Sequence, residues 1–177
     1  MKALHATHCR LEPQLAAHAP EMFRVLGDPA LYEFEHAAPE SEAWLAARFA
    51  RLESRRSRDG SEHWLNWVIR LPTDELVGYV QATVKDSGVA FVAYEVASAH
   101  WRRGIGSSAV RAMLQELSGH YGVHTFVAVL KQANHRSRAL LLHLGFQVAS
   151  DAQRAAADAQ ADELVMCRPA SLTQNGR

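Results

Sequence analysis

The chain has 177 residues, 48% of them apolar, and nineteen basic residues balance nineteen acidic ones. That is enough apolar material for the core of one domain, and a net charge of zero excludes the basic footprint of a nucleic-acid binder. No apolar run approaches the roughly 18 residues of a membrane span, and His5, His8, Arg10 and Glu12 interrupt the stretch where a secretory signal would be apolar, so the chain reads as cytoplasmic.

Residues 2–11 form a first strand, polar and weakly patterned. Pro13 suits the first turn of a helix, after which Leu15, Ala19, Met22, Phe23 and Leu26 recur at helical spacing. Gly27, Asp28 and Pro29 stop it. A second helix is expected after Pro39, with Ser41 as its cap and Glu40 and Glu42 complementing the dipole. Trp44, Leu45, Phe49 and Leu52 would line its inner face. Arg48, Arg51, Arg55, Arg56 and Arg58 make the rest basic, either as a solvated face or as a contact for an acidic ligand.

From Trp64 the period changes to that of a meander. A strand at 67–71, a turn at 72–75, a strand at 76–84, a hairpin turn at Asp86-Ser87-Gly88 and a strand at 89–96 follow one another. A helix follows Gly106, with Val110, Met113, Leu114 and Leu117 on one stripe and Gly119 and Gly122 at its end. Residues 125–130 read as a short buried strand, and 134–144 as a helix closed by Gly145. Residues 146–149 and 164–167 pair as closing strands, the stretch 151–162 is a loop or short helix, and a disordered tail starts at Pro169. Cys9 and Cys167, the only cysteines, have no metal or redox spacing and read as buried free thiols. No repeat or linker divides the chain, so residues 1–168 read as one domain of α+β class with a mixed sheet.

The chemistry-bearing stretch is Trp101-Arg102-Arg103-Gly104-Ile105-Gly106-Ser107, between a strand and an amphipathic helix. Glycine lets the backbone turn tightly and approach a ligand. Free N–H groups at the start of the helix then converge on one place, which attracts anions and above all a pyrophosphate. Arg102 and Arg103 add charge beside them. An ordinary tight turn is the bland alternative. Gly104, Gly106 and Ala109 also fit the dinucleotide spacing, but the next strand is followed by Lys131 and Gln132 rather than by the carboxylate that such a site uses.

The run resembles the pyrophosphate loop of the GCN5-related N-acetyltransferases (GNAT), Gln/Arg-x-x-Gly-x-Gly/Ala, with Trp101 at the first position. That departure is typical of the ribosomal-protein-alanine acetyltransferase branch, which often has Tyr-Trp-Gly-Lys-Gly. His100-Trp101-Arg102-Arg103-Gly104 is the corresponding run, with Arg102 in place of one glycine. Leu76-Val77-Gly78-Tyr79-Val80 and Tyr94-Glu95-Val96 are similar to the family's central hairpin. Asn134-His135-Arg136-Ser137 through Leu144-Gly145-Phe146 matches its Asn-x-x-Ser helix ending in Gly-Phe, and Asp28-Pro29 fits the branch. The resemblance spans about residues 8 to 168.

The family likeness implies a mostly antiparallel twisted sheet of six or seven strands with about four helices, splayed between its fourth and fifth strands. It implies acetyl-coenzyme A as cosubstrate, with pantetheine in the splay bonded by the backbone of Tyr94, Glu95 and Val96. The Val96 amide would be the oxyanion donor. The segment Trp101, Arg102, Arg103, Gly104, Ile105, Gly106 and Ser107 would hold the pyrophosphate, and the Asn134 side chain would reach the pantetheine while also capping its helix. The acceptor would be a primary amine, on a protein or peptide N-terminus or a small molecule. Glu95 is the first choice of general base, with Glu33 and Glu35 as alternatives.

Many relatives place a tyrosine acid seven residues after the asparagine, where this chain has Leu141. Ser137 matches the serine of the ribosomal-protein branch and would face the sulfur. A metal is not expected: His5 and His8 are three apart on a strand and face opposite sides, and no metal motif occurs. Neither a membrane nor a nucleic-acid partner is expected, and the chain would be a monomer or homodimer. The rival readings are a non-catalytic acyl-CoA-binding sensor and acyl transfer to a hydroxyl.

Overall fold

The computed structural model describes residues 1–34 and 37–170. Among the described residues, eight strands form one sheet: β1 (Leu4–His5), β2 (Arg10–Pro13), β3 (Glu62–Arg70), β4 (Leu76–Lys85), β5 (Val89–Val96), β6 (Thr125–Lys131), β7 (Gln147–Val148) and β8 (Glu163–Pro169). Five helices accompany them: α1 (Ala19–Val25), α2 (Glu42–Leu52), α3 (Ile105–His120), α4 (His135–His143) and α5 (Asp151–Ala156). The sheet order is β1-β2-β3-β4-β5-β6-β8-β7. Every neighbouring pair is antiparallel except β5 with β6. This is the mixed α/β fold expected, with one strand and one helix more than the sequence suggested. Because the first strand is split into β1 and β2, the opening expected between the fourth and fifth strands lies between β5 and β6.

The central strands are covered on both faces, so they read as nearly continuous apolar runs. Along β3, Leu65, Trp67 and Ile69 face the side that α3 packs against, and Val68 faces the side of α1 and α2. Ala19, Met22, Leu26, Leu45, Phe49 and Leu76 complete the second cluster.

The N-terminal region departs from expectation. Residues 2–11 are not one strand, because the Ala6 N–H donates to the Cys9 carbonyl at 3.0 Å and folds the run into the β1–β2 hairpin. Pro13 ends β2 opposite Trp67 rather than opening a helix. Its missing N–H is tolerated there because β1 pairs no further along β2 than Leu11. Pro20 takes the first-turn position of α1 instead.

Ser41 caps α2 by accepting from the Trp44 N–H at 3.1 Å. Leu45 and Phe49, one turn apart, are buried, but Trp44 is 41% exposed and carries the Arg48 guanidinium 5.7 Å from its ring. α3 starts at Ile105, ahead of Gly106, and passes through Gly119. The stretch at 151–162 contains α5, capped by Ser150 with Gln153 returning the bond. β8 reaches Pro169, and Ala170 N–H donates to His124, so pairing continues past the expected tail boundary. The rest of that tail lies outside the described residues.

Candidate active site

The sheet opens at one place. β4 and β5 pair from Gly78↔Val96 to Val84↔Ala90, and β6 and β8 pair along all of β6. β5 and β6 pair only at Val89↔Thr125, Ala90↔Phe126 and Phe91↔Val127. Beyond Phe91 they part, and a cleft of about 670 Å³ occupies the gap, a size typical of small-molecule sites.

The register decides which peptide groups face that gap. The Ala97 N–H donates to the Val77 carbonyl at 2.8 Å. Hydrogen-bonded pairs alternate along an antiparallel ladder, so Tyr79 and Glu95 bond each other while the Tyr94 and Val96 peptides turn away from β4. The N–H groups of Tyr94 and Val96 therefore point into the splay. Glu95 is a correction to expectation: its backbone is committed to β4 and only its side chain is left for the site. The Val96 carbonyl accepts from Trp101 Nε1 at 2.6 Å, which fixes that peptide.

The loop after β5 turns on two left-handed residues, Arg102 at φ 59° and Gly104 at φ 76°. A Cβ on Gly104 would lie 3.2 Å from His8 Nε2, and one on Gly106 would lie 3.1 Å from Leu140 Cδ1. These glycines let α3 start close against its neighbours. The first-turn amides of Ile105, Gly106 and Ser107 have no acceptor within the helix and face a common point.

α4 forms the opposite wall. Asn134 caps it, its Oδ1 accepting from the Ser137 N–H at 3.0 Å. The Ser137 hydroxyl lies 2.7 Å from the Tyr94 hydroxyl, which also donates to the Ser137 carbonyl at 3.2 Å. Burial pushes the Tyr94 phenol up to about 12, against a smaller downward pull from Ser137.

Side chains alternate across a strand, so Glu95 projects to the other face from Tyr94, toward α1 and α2. There it bonds the Tyr79 hydroxyl, whose pKa is raised well above the phenol range, first by burial and then by the Glu95 charge. Tyr32 is pushed up to about 12 by burial, with Glu95 and Asp28 adding to it. Asp28 ties this region to the end of β5, accepting from Ser98 N–H at 2.7 Å and Ala30 N–H at 3.0 Å. Burial raises its carboxyl, but those hydrogen bonds outweigh burial and leave it below the usual range.

Of the residues expected from the sequence, Arg103 and Glu33 do not line the cleft; Tyr94, Glu95, Val96 and Trp101 line one side, Arg102 and residues 104–107 the loop, and Asn134 and Ser137 the α4 side. Glu33 is bound instead to Arg136, 2.6 Å away. Glu35 lies outside the described residues. Neither cysteine lines the cleft, and burial pushes the Cys9 thiol up to about 11. Among the described residues no His, Cys, Asp or Glu group is arranged to hold a metal, and no helix is long and apolar enough to cross a membrane.

Sequence reasoning missed Arg136, Tyr79 and Tyr32. Arg136 stacks 4.3 Å from the Trp101 ring centre and 5.6 Å from Phe34. A cation in the first turn of a helix opposes the dipole, and that conflict at Arg136 was the available signal that it answers to something else.

The chain matches the family model of the acetyltransferase (GNAT) domain over residues 9–147. No curated protein matches it. Among solved structures it is similar to Mycobacterium smegmatis RimJ in complex with CoA-disulfide, at TM-score 0.79 and 22% identity, covering 98% of this chain and 90% of that one. It is similar to the ribosomal-protein-S5-alanine acetyltransferase of Vibrio fischeri, at TM-score 0.79 and 14% identity over 96% and 97%. A RimL ribosomal L7/L12 alpha-N-protein acetyltransferase in complex with coenzyme A is also similar, at TM-score 0.77 and 13% identity over 93% and 95%.

Proposed function

We propose, from the premise that this chain belongs to the GNAT acetyltransferase family, that it transfers an acetyl group from acetyl-coenzyme A to a primary amine. The observation that carries this reading is the splay after Phe91, where the Tyr94 and Val96 N–H groups face a gap that runs into the Gly104 loop. An extended pantetheine arm fits such a gap as a strand would, and the loop amides with Arg102 suit its pyrophosphate. A protein or peptide N-terminus is the favoured acceptor. The names of the RimL and ribosomal-protein-S5 neighbours, which describe enzymes acting on protein alanine or α-amino groups, support that choice.

Most of the amine arrives as an ammonium at neutral pH, because an α-amino group has a pKa of about 8 and a small alkyl amine one near 10. Glu95, directly or through one water, takes the proton. The free amine attacks the thioester carbon, and the N–C bond forms as charge builds on oxygen. The Val96 amide meets that charge, with the Tyr94 amide two residues deeper along the same edge; such a donor contributes about 3 kcal/mol. The C–S bond then breaks. A thiolate of pKa about 8.5 leaves readily, with the Ser137 hydroxyl facing it.

Thermal unfolding tests the cosubstrate. Acetyl-coenzyme A at about a hundred times its Kd should stabilise the fold by about 2.7 kcal/mol, and NAD should give no shift. Glu95→Gln tests the base: kcat should fall about 10²-fold or more with acetyl-coenzyme A affinity retained. An unchanged kcat removes Glu95 from the role. One observation favours a non-catalytic acyl-CoA-binding module instead: Leu141, where many relatives carry a tyrosine acid, is fully buried apolar core. Release of free coenzyme A with any of a panel of amines rejects that alternative.

A further inference from the structure

We infer that the Tyr94 side chain, reaching across from β5, works as one unit with Ser137 to stabilise the departing sulfur. This rests on the acetyl-transfer reading above and assigns to Tyr94 a role distinct from that of its backbone. The two hydroxyls face each other at 2.7 Å within the cleft wall. Each carries one hydrogen. One of the two is consumed by their mutual bond. The other has as its present acceptor only the Ser137 carbonyl, at a long 3.2 Å, and it is the hydrogen available to an anion formed in the cleft.

A first-turn serine standing alone tends to return its hydrogen to its own backbone. The tyrosine prevents that by accepting the Ser137 hydrogen, which leaves its own hydrogen on the long bond to the Ser137 carbonyl. Both partners are held in place, Ser137 by the Asn134 cap and Tyr94 by the ladder with β4. α4 itself offers no phenol, since position 141 is a leucine packed into the core. The strand thus supplies from the facing wall what the helix lacks.

Burial holds the Tyr94 phenol at about 12, so it keeps its proton where a thiolate of pKa about 8.5 is still anionic. The pair donates a hydrogen bond and does not surrender a proton. The balance is then complete. One ammonium proton passes through Glu95 to water before attack. The nitrogen–carbon bond forms, the carbon–sulfur bond breaks with its electron pair on sulfur, and the second proton of the cationic adduct nitrogen leaves to water as the adduct collapses to the amide. The thiolate takes its proton from water.

The test is a double-mutant cycle of Tyr94→Phe and Ser137→Ala, with Ser137→Thr as the hydroxyl-retaining variant. Three quantities are read on the intact chain: kcat with a primary amine, acetyl-coenzyme A hydrolysis without amine, and coenzyme A affinity. Each single variant should lower kcat and hydrolysis by about tenfold to a hundredfold, and the double variant no further than the worse single. Ser137→Thr should recover most of the rate, and coenzyme A affinity should stay within about twofold throughout. A Tyr94→Phe kcat within about twofold of wild type overturns the inference, as do multiplicative losses or a loss confined to affinity. Wild-type turnover with an unaffected Tyr94→Phe variant sinks this inference alone. A wild type that accelerates neither reaction sinks the acetyl-transfer reading with it.

Discussion

Arg102 occupies backbone ground that glycine usually holds. Its φ of 59° lies in the left-handed region, which costs a residue with a Cβ about 1–2 kcal/mol. Arg102→Gly removes that strain but frees the unfolded chain by about 0.5–1 kcal/mol. The relief exceeds the entropic cost by about 0.5–1 kcal/mol, so thermal stability should rise slightly. The lost cation beside the loop amides should instead weaken acetyl-coenzyme A binding by about fivefold to tenfold and flatten its salt dependence. Calorimetric titration at low and high salt reads this, and a variant that loses stability rather than affinity points to backbone instead. Gly78 is the opposite case. A Cβ there would sit 2.0 Å from the Glu95 carbonyl oxygen and 2.9 Å from the Val96 Cα. Gly78 and Val96 form the closer, non-hydrogen-bonded kind of pair, and main chain cannot give way as a side-chain tip can. Gly78→Ala should cost more than about 3 kcal/mol in urea unfolding and abolish turnover, because the relief available is to push β5 out of register.

At the scale of elements, the segment after α1 is fastened to the end of β5 by one carboxylate. Asp28→Ala orphans the Ser98 N–H and should cost about 1–2 kcal/mol. The sign of its pH dependence follows from the net lowering of its folded pKa. A depressed carboxylate contributes stability above its unfolded pKa of about 3.9 and loses it as pH falls through the lower folded value. The difference between wild type and Asp28→Ala should therefore be constant near neutrality and shrink in acid. A difference that grows in acid would contradict the assignment.

The same elements show what was legible. The β3–β5 meander, α3 and α4 were readable because β-prone apolar runs, helical stripes and the turn residues Gly88, Gly104 and Gly145 are local signals. β1 and β2 were not, because their polar side chains carry no period and Pro13 fits either a strand end or a helix start. The glycine loop stood out by its spacing, whereas Asn134 and Ser137 were singled out only through the family resemblance; all of them line the cleft. The Glu33–Arg136 pair joins residues 103 positions apart, and the Tyr79–Glu95 contact depends on strand register; neither distance nor register is written in a run of neighbours.

Across the whole molecule, the sheet buries side chains on both faces, and its four tyrosines share the consequence. Tyr32, Tyr79, Tyr94 and Tyr121 all have raised pKa values, with burial the largest cause in each. Three of them, Tyr32, Tyr79 and Tyr94, border the Glu95 side chain or the cleft, so the chemistry proposed here needs them neutral. A group whose folded pKa lies above its unfolded value of about 10 contributes fully below that pH and loses its contribution as pH rises through the folded value. Tyr32 and Tyr94 place that loss between about 10 and about 12. The Cys9 thiol, raised from 9.0 to about 11, starts the decline slightly earlier. The urea midpoint should thus hold from neutrality to about pH 9 and fall steeply toward pH 12. Tyrosinate absorbance should rise together with unfolding rather than ahead of it. Absorbance that titrates near pH 10 with the fold intact would mean that these phenols are open to water, and would remove the buried, hydrogen-retaining Tyr94 on which its partnership with Ser137 depends.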